Sequence, residues 1–388
     1  MHYSPKKYVK PACSNFHRLF CESASSCGKA VRDRIHSQSC FRNGMEITVV
    51  PENAEISQAA RALEAGQLVV FPTETVYGLG ADAQNPDAVA LVYAIKGRPV
   101  SHPLIVHLAK EADLSYWAQS VPREARSLMD AFWPGPLTLI LKRASNIHPA
   151  VSGGLDTIGL RCPSHPVAMA LLNAFREGKG GIAAPSANLF GRISPTRAQH
   201  VLDDFGSDSR IAAILDGGQS EVGIESTILD LSRIGTHGPV LLRPGKISAS
   251  DIAEVAGKKP VSADENAPRV SGTLPSHYAP QSPVSLVTAR RIPFVLSALK
   301  QKDRRVALIH HSSLPELSDD DFSVRMIMPI SVEAYSHRLY ASLRTLDEAQ
   351  ADVIIIEMPP QDSAWDGVND RLRRAAHRTV GLVEKWVE

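Results

Sequence analysis

The sequence predicts an α/β protein built as two domains, on three observations. Its 388 residues exceed what one hydrophobic core usually spans. From Met45 onward, short apolar runs alternate with helix-patterned segments, the arrangement that packs helices on sheets. Residues 258–283, KKPVSADENAPRVSGTLPSHYAPQSP, carry Pro, Ser and charge without a hydrophobic period. They read as a linker between a domain at 45–257 and a smaller one at 284–388.

Residues 1–44 are rich in Ser, Cys, Lys and Arg, poor in acids and aperiodic, and are expected to be a disordered leader. Met45 is then the expected functional start, favoured over a transit peptide. Four of the five cysteines (Cys13, Cys21, Cys27, Cys40) lie in this stretch at spacings that match no paired zinc pattern. Cys162 reads as a buried structural thiol.

Ser57 is expected to cap a helix closed by Gly66, with QLVVF (67–71) following as a strand. Asn85-Pro86 opens a second helix whose apolar face is Ala88, Leu91, Val92 and Ile95, and Gly97 ends it. PLIVHL (103–108), LTLILK (137–142) and TIGLRC (157–162) are strands, and His165-Pro166 starts a helix reaching about Arg176. IAAILDGG, STILDLS and PVLLRPG complete the first domain as short strands. In the second, PVSLVTA, RVALIHH and DVIIIEMPP read as strands, with 331–349 and 365–377 helical, which suggests a parallel βαβ sheet.

A formal net charge of +1 announces no polyanionic or cationic partner. No apolar run approaches the ~20 residues of a membrane span, and no secretory pattern opens the chain, so a cytoplasmic protein without membrane contact is expected. There is no Walker A loop, HExxH or nucleophile-elbow Ser. Gly78-x-Gly80-x-x-Ala83 is only part of a dinucleotide fingerprint, with no helix N-terminus behind it.

Cations next to Gly or Pro stand out: Lys96 and Arg98 in IKGRP, Arg161 in GLRCP and Arg243 in LLRPG. Guanidinium groups held by such backbone suit phosphate and carboxylate. His102 and His107 flank an apolar strand, either as site residues or as satisfied core histidines. APSANLFGRISPT (184–196) offers Ser186, Asn188 and Ser194, and GIESTILDL sets Glu225, Ser226 and Thr227 at the start of a buried strand.

FPTETVYGLG, KGRP, PLIVH, FWPGPLTLIL, GLRCP, PSAN, the EST of GIEST, LLRPG, SGTLPSHYAP, LYASLRTLDEA and WDGVNDRLRRAA occur in this order. Together they resemble the YrdC-like family, in its two-domain threonylcarbamoyl-AMP synthases, from about Met45 to the C-terminus. The resemblance implies an open twisted mixed sheet with helices and a deep cleft, plus a smaller C-terminal Rossmann-like domain. It also implies ATP with Mg2+, L-threonine and bicarbonate as substrates, and a downstream tRNA threonylcarbamoyl-transferase. Threonine-side roles would fall on Thr75, His107, Arg161 and Ser226. ATP-side roles would fall on Arg98, His102, Thr157, Ala184 through its backbone, Ser186, Ser194, Arg243 and Tyr278 in the linker. Lys96, Arg98 and Arg161 would carry the catalysis. Rival expectations are an RNA-binding module, with RLRRAAHR (371–378) meeting tRNA phosphates, and carbamoyl-adenylate transfer in hydrogenase maturation.

Overall fold

The computed structural model describes residues 41–42, 45–46, 51–206, 208–314, 317–318 and 321–387. The leader therefore lies outside the described residues, apart from Phe41–Arg42, which pairs antiparallel with Met45–Glu46. The first domain is built on strands β1 (Leu68–Phe71), β2 (Gly78–Asp82), β3 (Ile105–Leu108), β4 (Leu137–Lys142), β5 (Thr157–Arg161), β6 (Gly181–Ala183), β7 (Ile211–Ile214), β8 (Thr227–Asp230), β9 (Val240–Arg243) and β10 (Val261–Ser262). They form one mixed sheet in the order β10-β9-β8-β4-β5-β3-β6-β2-β1-β7. The last of these strands belongs to the expected linker, which adds two residues to the sheet edge beside β9.

Local chemistry explains most boundaries. In helix Pro86–Lys96 the Asn85 side chain accepts the N–H groups of Asp87 (3.0 Å) and Ala88 (3.3 Å), Pro86 fills the first turn, and Gly97 ends the helix at φ 61°. Ser57 is not a cap. Helix Asn53–Glu64 begins four residues earlier, where the Glu52 N–H donates to the Glu55 carboxylate (3.1 Å), and the Ser57 hydroxyl turns back onto the Asn53 carbonyl (2.8 Å).

The sequence reading missed β2 because its glycines read as a loop. A Cβ on Gly80 would meet Ile182 Cγ2 and Phe71 Cε1 at 2.8 Å, so this glycine lets neighbouring side chains close over the strand rather than cradling a phosphate. Helices Arg123–Phe132, Ala198–Phe205 and Ala249–Ala256 were also unread.

The C-terminal domain is a parallel sheet of β11 (Val284–Val287), β12 (Val306–His310), β13 (Val324–Ile327) and β14 (Val353–Glu357), in the order β11-β14-β12-β13. Its central strands are apolar on both faces. Ala307, Ile309, Ile354 and Ile356 pack on helices Val332–Glu348 and Asp366–Ala376, while Leu308, Val353 and Ile355 pack on helix Ile292–Gln301. The first of these two cores runs on into Val76, Ile193, Val222, Ile224 and Tyr278, so the two domains and the linker share one apolar interior.

Candidate functional site

A buried cavity opens where the turn after β1 (Thr73, Thr75), β3 (Ile105, His107), the end of β5 (Arg161), the loop after β6 (Ala184, Ser186), the start of β8 (Glu225, Ser226), the end of β9 (Arg243) and the linker (Ser271, His277, Tyr278) meet. His107 and Arg161 are direct partners in the β3–β5 ladder. Thr157, Gly159 and Arg161 alternate onto one face of β5, so Thr157 stands about 13 Å along the strand from Arg161. Linker residues Ala267 and Val270 pack over this part of the sheet, against Ile105, Ile140 and Ile228.

Only about 40 Å³ of cavity is left open. That volume suits a water or two, far below the roughly 300–1,000 Å³ of a cofactor-sized pocket. The expected deep cleft is thus filled by the chain's own linker. Tyr278 is its most deeply set aromatic, fully buried with φ 60°.

The cavity wall is tightly ordered. Arg161 forms an ion pair with Glu74 (2.6 Å) and donates to Thr75 Oγ1 (3.0 Å) and the Gly135 carbonyl (3.3 Å). Arg243 clamps Ser226, reaching its carbonyl (2.9 and 3.1 Å) and hydroxyl (3.1 Å), and also donates to the linker carbonyl of Ser271 (3.0 Å). Three polar atoms on the wall, His107 Nδ1, His277 Nδ1 and Tyr278 Oη, are buried with no hydrogen-bond partner. Orphaned groups of this kind are what a polar ligand would satisfy.

Burial sets the charges. Desolvation, helped by the Arg161 charge, pushes His107 down to about 3, and His277 likewise falls to about 3, so both are neutral imidazoles near pH 7. Burial lowers Arg98 to about 10 and Lys96 well below its usual value. Burial would raise Glu225, yet Arg371 and Arg243 beside it bring it down to about 2.

The family model described as telomere recombination matches residues 61–245, and the model for the C-terminal domain of threonylcarbamoyl-AMP synthase matches residues 247–377. Threonylcarbamoyl-AMP synthase of Bacillus subtilis is 41% identical over 329 residues, covering 83% of this chain and 93% of its own. The synthase of Pyrococcus abyssi is 36% identical over 336 residues, with 84% and 95% covered. The chain belongs to the threonylcarbamoyl-AMP synthase family. A crystal structure of Pyrococcus abyssi Sua5 complexed with L-threonine superposes at TM-score 0.76 with 36% identity, covering 84% of this chain and 95% of that one.

Of the residues expected in a site of this family, Thr75, His107, Arg161, Ala184, Ser186, Ser226, Arg243 and Tyr278 line the cavity. The Ala184 N–H is already given to the Ile105 carbonyl (3.0 Å), leaving its carbonyl as the backbone group on offer. Lys96, Arg98, His102, Thr157 and Ser194 stand outside the lining. Lys96 Nζ donates to the carbonyls of Ser186 (2.6 Å) and Asn188, so it braces the PSAN loop. Arg98 holds the Pro103 carbonyl (3.0 Å) and stacks 5.7 Å from the Phe190 ring centroid, while His102 meets the same ring edge-on. Ser194 gives its hydroxyl to Glu225 (2.6 Å).

Sequence reasoning assigned nothing to Glu74 or Tyr340, left Glu225 and His277 without a task and read Arg371 as an RNA contact, although all border or brace the cavity. The expected RNA-contact stretch, RLRRAAHR, is split: Arg373, His377 and Arg378 are exposed, while its other two arginines are engaged by the protein itself. Arg371 is fully buried against Glu225 (2.9 Å), and Arg374 is taken by Asp370 (2.9 Å) and the Leu274 carbonyl (2.5 Å).

Proposed function

We propose that the chain condenses L-threonine, bicarbonate and ATP to threonylcarbamoyl-AMP and pyrophosphate, acting as a nucleotidyltransferase in the cytoplasm. Its product would feed a tRNA threonylcarbamoyl-transferase for threonylcarbamoyladenosine synthesis. The observation that carries this reading is the meeting of Arg161, braced by Glu74 and Thr75, with Arg243, clamped on Ser226, in one buried pocket with orphaned polar groups. Two fixed guanidinium groups there match a substrate carboxylate at one end and phosphates at the other.

Bicarbonate takes up a proton and loses water to give carbon dioxide, and the amine of threonine adds to it to form a carbamate with release of a proton. A carbamate oxygen attacks the α-phosphorus, and the bond to pyrophosphate breaks in line. The protein's work is then positioning and charge stabilisation. Arg161 would hold the amino-acid carboxylate, with Thr75, His107 and Ser226 around it. Arg243 and Arg98 would offset charge on phosphate oxygens, while Lys96, Ser186, Ser194, Ala184, His102 and Thr157 shape the nucleotide path. Magnesium would arrive with ATP and would offset charge on its phosphates, calling for few protein ligands. The two carboxylates nearest the cavity, Glu74 and Glu225, are already engaged by arginines and are not free to build a metal cage.

For ATP to bind, the linker over Ile105 and Ile140 must lift, and Tyr278 would then close over the nucleotide, keeping water from a hydrolysable acyl-adenylate. Pyrophosphate release that requires both threonine and bicarbonate is the expected result. Release with ATP alone at the same rate would sink the reading.

A further inference from the structure

Glu225 stands immediately before Ser226, and its carboxylate is held mainly from outside its own domain. One hydrogen bond comes from the first domain, from Ser194 Oγ (2.6 Å). Two come from the C-terminal domain, from Tyr340 Oη (2.8 Å) and Arg371 Nε (2.9 Å). The remaining nitrogens of Arg371 donate to the carbonyl of Glu225 itself (3.0 Å) and to that of Pro244 (2.6 Å), the residue after Arg243. A single guanidinium with no solvent exposure therefore ties together the loops that carry Ser226 and Arg243. Neither Arg371 nor Tyr340 lines the cavity.

We propose that Glu225 is a positioning residue through which the C-terminal domain sets the geometry of the ligand site, with Arg371 and Tyr340 gripping from behind the loops whose Ser226 and Arg243 face the ligands. The identity of those ligands rests on the function proposed above. A planar fork bound to the Glu225 carboxylate and to the carbonyls of Glu225 and Pro244, and steadied by Asp370 on its own helix (3.2 Å), fixes loop spacing far more strictly than a point charge does. Without it, Glu225 keeps only the hydroxyls of Ser194 and Tyr340 for a buried charge and loses its ion-pair partner, so the loop must open to hydrate it and carry Ser226 out of place. The same two side chains seat the linker: the Arg371 guanidinium lies 5.5 Å from the Tyr278 ring centroid, and the Tyr340 ring lies 5.7 Å from it on a tilt of 30°. Docking of the second domain and assembly of the site are then one event.

A purely structural ion pair would lower stability and leave ligand affinity alone, which makes the two roles separable in the full-length chain. In Arg371→Met, KM for threonine and KM for ATP are each expected to rise about tenfold or more, with a smaller fall in kcat. Glu225→Gln should move the same constants, and the double variant should be no worse than the worse single one, because the two residues act as a unit. Arg371→Lys should rescue only in part, since it restores the charge without the fork. Tyr340→Phe removes one bond and strands no charge, so it serves if Arg371→Met does not fold; its expected KM rise is about threefold. Calorimetric titration of threonine and ATP reads the same effect without turnover. Unchanged affinities in a folded Arg371→Met, or in Tyr340→Phe where the former does not fold, would overturn the positioning role. A wild-type chain that binds both ligands yet makes no threonylcarbamoyl-AMP would instead overturn the proposed function.

Discussion

Glu74–Arg161 and Glu225–Arg371 are both buried carboxylate–guanidinium pairs, 2.6 and 2.9 Å long, but they face the cavity in opposite senses. In the first, the arginine lines the wall and the acid backs it; in the second, the acid lines the wall and the arginine backs it. The first lies within one domain, while the second crosses between two. A wall-facing arginine keeps a positive charge for a ligand, and its glutamate fixes the direction in which that charge points. A wall-facing glutamate would repel phosphate, and Arg371 cancels that repulsion while anchoring the loop. On the proposed function, two identical chemical pairs would thus serve recognition in one place and assembly in the other.

Removing either arginine breaks the comparison most severely. Arg161→Met leaves Glu74 buried and unpaired, and is expected to lower stability by about 3–5 kcal/mol, as Arg371→Met would for Glu225. Only Arg161→Met should abolish threonine-dependent turnover while weakening ATP binding less. Chemical denaturation together with separate threonine and ATP titrations checks this, and equal losses of both affinities would remove Arg161 from the carboxylate end. Arg243→Ala should act mainly on the ATP requirement, and an unchanged requirement would take it out of the site.

Acid should act on both pairs through their neighbours. His107 beside Arg161 and His277 near Glu225 are held neutral, with folded values of about 3 against an ordinary 6.5. In that window the unfolded chain binds the extra protons, so the stability these groups contribute is full above pH 6.5 and is lost as pH falls toward 3. The expected slope reaches about 1.4 kcal/mol per pH unit for each histidine. Glu225, at about 2, stays ionised throughout, so the clasp should outlast the histidines. Stability measured by denaturant titration that is flat from pH 6.5 to 4 would contradict this.

The smallest effect is a calibration. Asn85→Ala removes a helix cap remote from both pairs and should lower stability by about 1 kcal/mol with KM unchanged. A shifted KM there would mean that modest destabilisation alone loosens the site, which would blur any reading of Arg371→Met.

Features governed by near neighbours in the chain could be read from sequence. Asn85, Pro86 and Gly97 name both ends of their helix, and the apolar runs of β4 and β14 announce buried strands. Gly78–Asp82 could not be read as a strand, because its glycines answer to Ile182 and Phe71 across the sheet rather than to a local turn. The same divide runs through the site. Arg161 and Arg243 stood out by their Gly and Pro neighbours, whereas Glu225 gained meaning only from Tyr340 and Arg371, 115 and 146 residues further on. Lys96 was legible as an unusual cation, but its bracing of the PSAN loop was not.

The 146 residues between Glu225 and Arg371 also measure time. At about 5–20 residues per second of synthesis, the acid waits roughly 7–30 s on the ribosome before its arginine is made. The first domain has by then emerged with its sheet complete, apart from the partner that neutralises Glu225. A nascent chain is therefore expected to bind threonine and ATP weakly until synthesis has passed Arg371 and the Glu225 loop is clamped.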